Sequence, residues 1–428
     1  MKTKLVVFGI TGDLSRRKLL PALDQIISTG DFDDLSIIGV SRRQVDVQAL
    51  ITEVLGSSSE LSNRMSIFSM DLARADDYDA LREHIGLQTD EQLLVYLSVP
   101  PNASAQIVGF LGEADLNTPN VKILFEKPFG MDLVSAEEAI ARTARYYSED
   151  QIYRIDHFLA KAMAQNIITF RARNAIFGHL WHAKAISRIE VIASEKIGIE
   201  GRVQFYEQTG ALRDIVQGHL MQLLALTLLD VPAELDWDKL PELRMAALAQ
   251  IQPANPELAV RAQYESYEME VANPNSQTET FVSLQLFSQA EHWKDVPLIL
   301  TTGKALDRKR TEVRIHFKKY SDSQTNCLVL GIQPNEGIEI ELYTKKPGYD
   351  HQLERQQLSF TYPADVTLPD AYEQVLVDAM RSRKSLFTCS DEVLRSWEIL
   401  KPVQDAWNMD SQPLKKYANG ATIEQVIG

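Results

Sequence analysis

The sequence predicts two units in succession: a Rossmann-like, doubly wound parallel α/β sheet, then an α+β unit with a large, mostly antiparallel sheet and covering helices. Short apolar runs alternate with helical stretches up to Arg173, and a glycine turn follows the first run. Strands spaced by helices in this way indicate parallel pairing with right-handed crossovers. A length of 428 residues suits two domains. We therefore expect units spanning 1–173 and 174–428.

Six apolar runs form the predicted strands of the first unit. Sheets of this type bind ligands beyond the carboxyl ends of their strands. Six residues fall at such ends, so we expect one cleft to gather them: Pro100, Glu126, Lys127, Pro128, Asp156 and His157. The strands are 5–8, 35–40, 65–70, 92–101, 121–130 and 151–158, with helices over 78–85, 105–111 and 135–147.

A glycine turn follows the first strand. Gly9 and Gly12 lead into a helical pattern, as in folds that hold a pyrophosphate at a helix N-terminus, although the spacing departs from G-x-G-x-x-G. Arg42 and Arg43 follow the second strand, where enzymes that use NAD carry an acidic residue. Guanidinium groups suit a 2′-phosphate, so NADP is favoured. The alternative is a basic loop without a ligand.

The stretch RIDHFLAKAMAQN concentrates chemically active side chains. Asp156, His157 and Lys161 lie within six residues, and a helix beginning near Phe158 would let the two cations converge on one anion at its first turn. We expect a phosphate there. The alternative is that Asp156 is a helix cap and the two cations form a solvated face.

The second unit combines period-two strands with one long apolar helix, 210–230. Asp214 and His219 lie near its N-terminal half. A lone histidine in an apolar helix is commonly a core residue, but acidic groups here and at Asp156 make His219 a candidate general base. Strands are predicted at 189–193, 280–287, 298–302, 312–317, 326–333, 337–343 and 357–362, and two amphipathic helices between 370 and 407.

Composition excludes several partners. With 44 basic and 59 acidic residues, the net charge of -15 repels nucleic acid and anionic membranes. The two cysteines cannot form a disulfide framework and lack metal-ligand spacing, and no apolar run approaches the roughly 20 residues of a membrane span. We therefore expect a cytoplasmic protein that binds neither nucleic acid, membrane nor metal.

Eight motifs in order make the chain similar to the glucose-6-phosphate dehydrogenases. They are GITGDLSRRKLLPAL, SRRQ, YLSVPP, FEKPFG, RIDHFLAKAMAQN, GALRDIVQGHLMQ, TTGKALDRKRTEVR and IQPNEGIEI. The resemblance covers nearly the whole chain. It implies oxidation of glucose 6-phosphate at C1 to the 6-phosphogluconolactone, reduction of NADP, and a homodimer formed through the second sheet.

The resemblance also implies a role for individual residues. His219 would be the general base, oriented by Asp156, and Lys127 would reach both substrate and nicotinamide. Implied substrate ligands are His157, Lys161, Glu195, Asp214, Lys304, Lys309 and Gln333. Implied cofactor contacts are Gly9, Thr11, Gly12, Asp13, Leu14, Arg42, Tyr96, Pro100 and Lys127.

Three departures from the family pattern keep alternatives open. Phe158 and Ala162 stand where the family has tyrosine and glutamate, and losing such a contact costs about 1–3 kcal/mol. Thr301 and Gly331 replace arginines of a second NADP site in animal members, and the chain ends sooner than typical members. The alternatives are a dehydrogenase for another aldose or aldose phosphate, and a non-catalytic NADP-binding paralogue.

Overall fold

The computed structural model describes residues 2–232, 234–319, 324–363, 365–409 and 412–428. Six strands of its first sheet are parallel and follow the order β3-β2-β1-β4-β5-β6, and a short seventh strand pairs antiparallel with β6; the order of strands along the sheet reverses between β1 and β4. The predicted Rossmann-like fold is confirmed. The strands are β1 (Lys2–Phe8), β2 (Leu35–Ser41), β3 (Met65–Ser69), β4 (Glu91–Leu97), β5 (Val121–Phe125) and β6 (Ile152–Ile155).

Helices cover both faces of this sheet, which explains why its strands are continuously apolar. Leu5 and Val7 of β1 pack into one core, whereas Val6 and Phe8 pack into the core on the opposite face. A strand buried on both sides has no polar alternation. The helices are α1 (Leu20–Ser28), α2 (Val47–Leu55), α3 (Asp76–Ile85), α4 (Pro101–Glu113) and α5 (Leu133–Thr143).

The second sheet has nine described strands in the order β14-β13-β12-β11-β7-β10-β9-β8-β16. Pairing is antiparallel except between β7 and β10 and between β8 and β16, so the predicted mostly antiparallel sheet is confirmed. Its strands are β7 (Ile186–Ser194), β8 (Ala259–Tyr264), β9 (Phe281–Leu286), β10 (Leu298–Gly303), β11 (Arg310–Phe317), β12 (Cys327–Gln333), β13 (Gly337–Lys345), β14 (Leu353–Thr361) and β16 (Lys415–Tyr417).

All seven strands predicted for the second unit are present, but β8 and β16 were not predicted. In β8, Arg261 and Gln263 interrupt the apolar pattern, although both side chains are buried. Arg261 donates to the Gln412 carbonyl and Gln263 to the Thr278 carbonyl. Buried polar groups with such partners remove the alternation by which a strand is recognised.

The long helix over the second sheet begins at Leu212, after a break at Gly210, whose φ is +62°. Its first part (Leu212–Leu220) is wound as a π-helix, and α9 (Met221–Leu228) continues it. None of the helices in the described ranges combines the length and apolarity needed to cross a bilayer. The others in this half are α6 (Ala162–Arg173), α7 (Ala175–Gly178), α8 (Val203–Ala211), α10 (Leu240–Ala249), α11 (Tyr267–Glu270), α13 (Ser390–Asn408) and α14 (Ile423–Ile427).

A late segment of the chain returns to the first sheet. Helix α12 (Ala371–Met380) packs into the core beside α1, and β15 (Phe387–Thr388) pairs antiparallel with β6. Arg244 of α10 fastens this segment: it is fully buried, its Nε lies 2.7 Å from Glu392 Oε1, and it donates to the carbonyls of Ser385 and Phe387. The guanidinium therefore links the helices of the second half to the edge of the first sheet.

We expect Arg244→Met to lower the free energy of unfolding by about 3–5 kcal/mol, because it leaves the buried Glu392 carboxylate without its cation. Urea unfolding followed by circular dichroism measures this change. The matched control is Arg355→Met, which removes an exposed arginine paired with Glu341 and should cost less than about 1 kcal/mol. Equal losses in the two variants would contradict the role given to Arg244.

Candidate functional site

The candidate site lies where the carboxyl ends of β5 and β6 meet the π-helical segment. His219 Nδ1 is 2.6 Å from Asp156 Oδ1, and both residues are buried. Lys127 enters from the end of β5 and donates to the Asp214 carbonyl at 2.8 Å. The two sheets thus bring together a carboxylate, an imidazole and an ammonium that are far apart in sequence.

A glycine makes this approach possible. A Cβ at Gly218 would lie 2.9 Å from Lys127 Nζ and 3.3 Å from Asp156 Oδ2. Asp156 Oδ2 is buried and has no hydrogen-bond partner among the described residues. Since a buried, unpaired carboxylate oxygen is costly, it is well placed to accept a hydrogen bond from a ligand.

Two aromatic rings fix the imidazole from the sides. Phe158 stacks on His219 with ring centroids 4.0 Å apart and an angle of 9°, and His157 meets His219 edge-on at 4.7 Å. From the sequence, Phe158 was expected only to lack a hydroxyl that would contact the phosphate. The structure shows that its ring packs directly against the candidate base.

Burial sets the protonation of these groups. It lowers the pKa of His219, with Lys127 acting in the same direction and Asp156 opposing it. Burial also lowers the pKa of His157 to about 3. For Asp156, burial opposes ionisation, but the hydrogen bond and charge interactions with His219, Lys127 and His157 together outweigh it and lower the pKa below its ordinary value. At neutral pH the cleft therefore holds neutral imidazoles beside an ionised Asp156.

A cavity of about 350 Å³ opens beside this pair. Five residues predicted from the sequence line it: Asp13, Leu14, His157, Lys161 and Gln333. Five further lining residues were not predicted as site residues, namely Arg17, Lys18, Asp370, Ala371 and Tyr372. Nothing in the LPDAY stretch (368–372) predicted that it lines a cavity, because the helix that begins there has the pattern of an ordinary packing helix.

One expectation about this cavity is wrong. The helix that was expected near Phe158 begins at Ala162, with Lys161 as its N-cap, and 158–161 form a turn. The Phe158 amide donates a hydrogen bond of 3.0 Å to Asp156 Oδ1, and this bond stabilises the turn. His157 and Lys161 nevertheless reach the same cavity, although His157 is neutral and offers an N–H rather than a charge.

The remaining predicted substrate residues differ in their surroundings. Lys304, which is buried, forms an ion pair with Glu195, so these two are already partners. Lys309 is exposed and is not among the residues that line the cavity. Gln333 donates to the Thr311 hydroxyl at 3.3 Å, which holds its amide at the cavity wall.

At the predicted cofactor site, the glycine turn packs against the residue that follows β4. Gly9 has φ +80°, and a Cβ there would lie 2.2 Å from the Ser98 carbonyl oxygen. Gly12 donates to the Gly9 carbonyl at 2.9 Å, and the turn includes Thr11. Arg42 and Pro100 are exposed at the ends of β2 and β4.

Tyr96 is wholly buried, and its hydroxyl donates to Glu126. Burial raises the pKa of Glu126 to about 7. Glu126 was expected in the cleft from its position at a strand end, but no catalytic or binding role was predicted for it. Among the described residues no group of three or more histidine, cysteine, aspartate or glutamate side chains could hold a metal ion.

A dinucleotide-binding sheet whose strand ends meet a buried histidine-aspartate pair defines the class of nicotinamide-dependent oxidoreductases. Family models agree: the NAD binding domain of glucose-6-phosphate dehydrogenase matches residues 6–166, and its C-terminal domain matches residues 168–425. The chain belongs to the glucose-6-phosphate dehydrogenase family.

Individual relatives are similar over nearly their full length. The glucose-6-phosphate 1-dehydrogenase of Dickeya dadantii is 34% identical over 97% of this chain and 93% of its own. A solved glucose-6-phosphate dehydrogenase in complex with glucose 6-phosphate superposes with a TM-score of 0.92 at 28% identity, covering 98% of this chain and 95% of that one. The Mycobacterium avium enzyme gives 0.87 at 31% identity, with 98% and 94% covered.

We expect His219 to titrate below 6.5, the ordinary histidine pKa, because burial and Lys127 disfavour its charged form. Replacing Asp156 with asparagine should lower it further, since the carboxylate raises the pKa of its partner. NMR titration of histidine-labelled protein measures both values, with His219→Gln identifying the signal. A midpoint at or above 6.5 in the unaltered protein would contradict the geometry.

Proposed function

We propose that this chain oxidises glucose 6-phosphate at C1 to the 6-phosphogluconolactone and reduces NADP. The observation that carries the proposal is the buried His219–Asp156 pair, because His157, the neighbour of Asp156, lines one cavity together with Lys161 and with Asp13 and Leu14 of the glycine turn. Membership of the family and the likeness to a substrate complex support the choice of substrate.

In this proposal His219 takes the proton of the C1 hydroxyl. Its Nδ1 donates to Asp156, which leaves Nε2 as the acceptor and fixes the tautomer. The lowered pKa keeps the ring neutral before reaction, and the ionised Asp156 stabilises the imidazolium that forms. Removing this proton makes departure of hydride from C1 easier.

The sugar phosphate would occupy the cavity of about 350 Å³. Lys161 supplies a positive charge, and His157 supplies an N–H donor because its imidazole is neutral. Lys18 and Tyr372 line the same space and add donors. We assign Gln333 to the edge of this cavity.

The sugar hydroxyls would meet polar groups on the second sheet and the π-helical segment. The candidates are Glu195, Asp214, Lys304 and Lys309, of which Lys304 and Glu195 are already paired. Such pairing orients both groups before the sugar binds, and groups that are already in position raise the rate of the reaction. Lys309 is exposed, so we assign it to the rim.

The residues present fit a bound dinucleotide. Any side chain at Gly9 would collide with the Ser98 carbonyl, so the turn keeps bare backbone for a pyrophosphate. Thr11, Gly12, Asp13 and Leu14 form the rest of the turn, Arg42 would meet the 2′-phosphate, and Tyr96 and Pro100 would lie near the nicotinamide, with Lys127 between cofactor and sugar. NADP when bound accepts the hydride at its nicotinamide C4.

The two-unit division, 1–173 and 174–428, and a cytoplasmic location are part of this proposal. The described strand order supports the division for most of the chain, since β1 to β6 belong to one sheet and β7 to β14 and β16 to the other, whereas β15 returns to the first sheet. The cysteines, Cys327 and Cys389, are unpaired, as in a reducing compartment. A relative from Arabidopsis thaliana, 31% identical, is named cytoplasmic.

Phe158 and Ala162 also favour a second candidate, the dehydrogenase of another aldose or aldose phosphate. Phe158 offers the cavity no hydroxyl, and Ala162 places no carboxylate beside Lys161. A non-catalytic paralogue is the further alternative. A panel of sugars and sugar phosphates separates these two from the main proposal.

We expect NADPH formation with glucose 6-phosphate, and we expect His219→Asn to lower kcat by about 10²–10⁴-fold with little change in substrate binding, because it removes only the proton acceptor. Initial rates measure this effect, with NAD run in parallel to test cofactor choice. A larger kcat/KM for another sugar would favour the second candidate. NADP binding without turnover on any sugar would favour the paralogue.

A homodimer through the second sheet is also part of the proposal. Leu358 and Phe360 of the edge strand β14 are 57% and 47% exposed, and they pair with Ile340 and Ile338 of β13. An exposed apolar edge of this length is suited to cover by a second copy.

We expect light scattering to give the mass of two chains, and Leu358→Glu combined with Phe360→Glu to shift the protein toward one chain by placing charges in the apolar contact. The control is Ile176→Glu, an exposed apolar position on α7. A single-chain mass for the unaltered protein across working concentrations would refute the dimer.

A further inference from the structure

A second cavity, of about 300 Å³, lies behind the candidate site. It is enclosed by the end of α8, the start of the π-helical segment, the loop before β9 and the end of α13. It shares no lining residue with the cavity at His157 and Lys161. We call it the rear cavity, and its walls include Glu207, Arg213, Glu279 and Trp407. This volume suits a small metabolite.

Arg213 offers the rear cavity an open donor edge. Its Nε donates to the Met131 carbonyl at 2.9 Å, and its Nη1 makes a long contact of 3.4 Å with the Thr209 carbonyl. Within the described ranges Nη2 has no acceptor. A guanidinium edge with free donors matches a carboxylate in geometry and charge.

Glu279 provides the second polar group. It is buried, its Oε1 accepts from the Leu212 amide at 2.9 Å, and a Cβ at Gly210 would lie only 2.4 Å from that oxygen. Burial raises the pKa of Glu279. The Glu279 carboxyl group lies against the backbone of Gly210. It can donate a hydrogen bond to a ligand hydroxyl or accept one from it.

The other acidic group in the wall is already satisfied. Glu207 accepts hydrogen bonds from the Tyr267 and Ser276 hydroxyls and from the Asn273 amide. These donors are neutral, so Glu207 keeps its negative charge. Two guanidinium groups, those of Arg213 and Arg261, line the same cavity and keep it attractive to an anion. Trp407 adds an apolar surface against which a short carbon chain can pack.

We propose that the rear cavity binds a small hydroxycarboxylate, with its carboxylate on Arg213 and its hydroxyl on Glu279. The inference does not depend on which sugar phosphate the enzyme oxidises. Arg213 precedes Asp214 on the segment that carries His219, and the Met131 carbonyl to which it donates also accepts from Gln404 at 2.9 Å. Met131 lies four residues after Lys127, so a ligand on Arg213 would be linked through this hydrogen bond to the loop that follows Lys127.

The test is calorimetric titration of the full chain with L-malate and, as the matched compound, succinate, which has the same two carboxylates without the hydroxyl. We expect malate to bind about tenfold more tightly than succinate, the factor given by one hydrogen bond of about 1.4 kcal/mol. We expect Arg213→Gln and Glu279→Leu each to weaken malate binding by about tenfold or more, whereas Glu279→Gln retains binding because the amide still exchanges a hydrogen bond.

Three controls keep the outcomes decisive. Arg74→Gln, at an exposed arginine outside both cavities, should leave malate binding unchanged. Arg213→Lys replaces Arg213→Gln if thermal unfolding shows that the latter does not fold. Saturating glucose 6-phosphate should leave malate bound. Loss of binding under that condition would place malate in the cavity at His157, and undiminished binding by the Arg213 variant, or no binding of malate at millimolar concentration, would overturn the proposal.

Discussion

The hydrogen bond between His219 and Asp156 joins the two halves of the molecule, and the geometry of the site depends on it. Asp156 directly follows β6 of the first sheet, whereas His219 belongs to the helix that covers the second. Both side chains are almost fully buried. A carboxylate taken out of water at this depth needs a partner, because an unpaired buried charge is expensive. The contact between the two sheets is therefore specified by the same pair that the proposed reaction uses.

The charges around this pair are arranged so that the histidine stays neutral. Lys127 lies near Asp156, Asp214 and Glu126, all of which favour its charged form, although burial lowers its pKa. That ammonium in turn opposes protonation of His219. An ionised aspartate would otherwise raise the pKa of its histidine partner well above neutrality. Burial of the imidazole, helped by the lysine, outweighs the aspartate, so the ring can accept a proton without being charged beforehand.

Sequence patterns predicted the parts of the fold that depend on continuous apolar burial. The six parallel strands could be predicted from the sequence because both faces of the first sheet are covered. Seven strands of the second sheet could be predicted because their apolar residues alternate regularly with polar ones. β8 was missed because Arg261 and Gln263 are buried polar residues, and β15 because two residues carry no period. The positions of Asp156 and His219 at one cleft followed from strand ends and family motifs. The Phe158 stack and the rear cavity could not be predicted, since both depend on contacts between segments distant in sequence.

The cavity lined by His157 and Lys161 takes its walls from four segments that are distant in sequence, and this arrangement depends on how the returning segment is held. Lys18 follows the glycine turn and pairs with Asp370 at 3.0 Å, just before α12. At the other end of α12, Lys122 donates to the carbonyl of Ala379 and the hydroxyl of Ser382. A helix held at both ends presents its first residues in one position before any ligand arrives. Less ordering is then required on binding, so more of the contact energy is available for affinity.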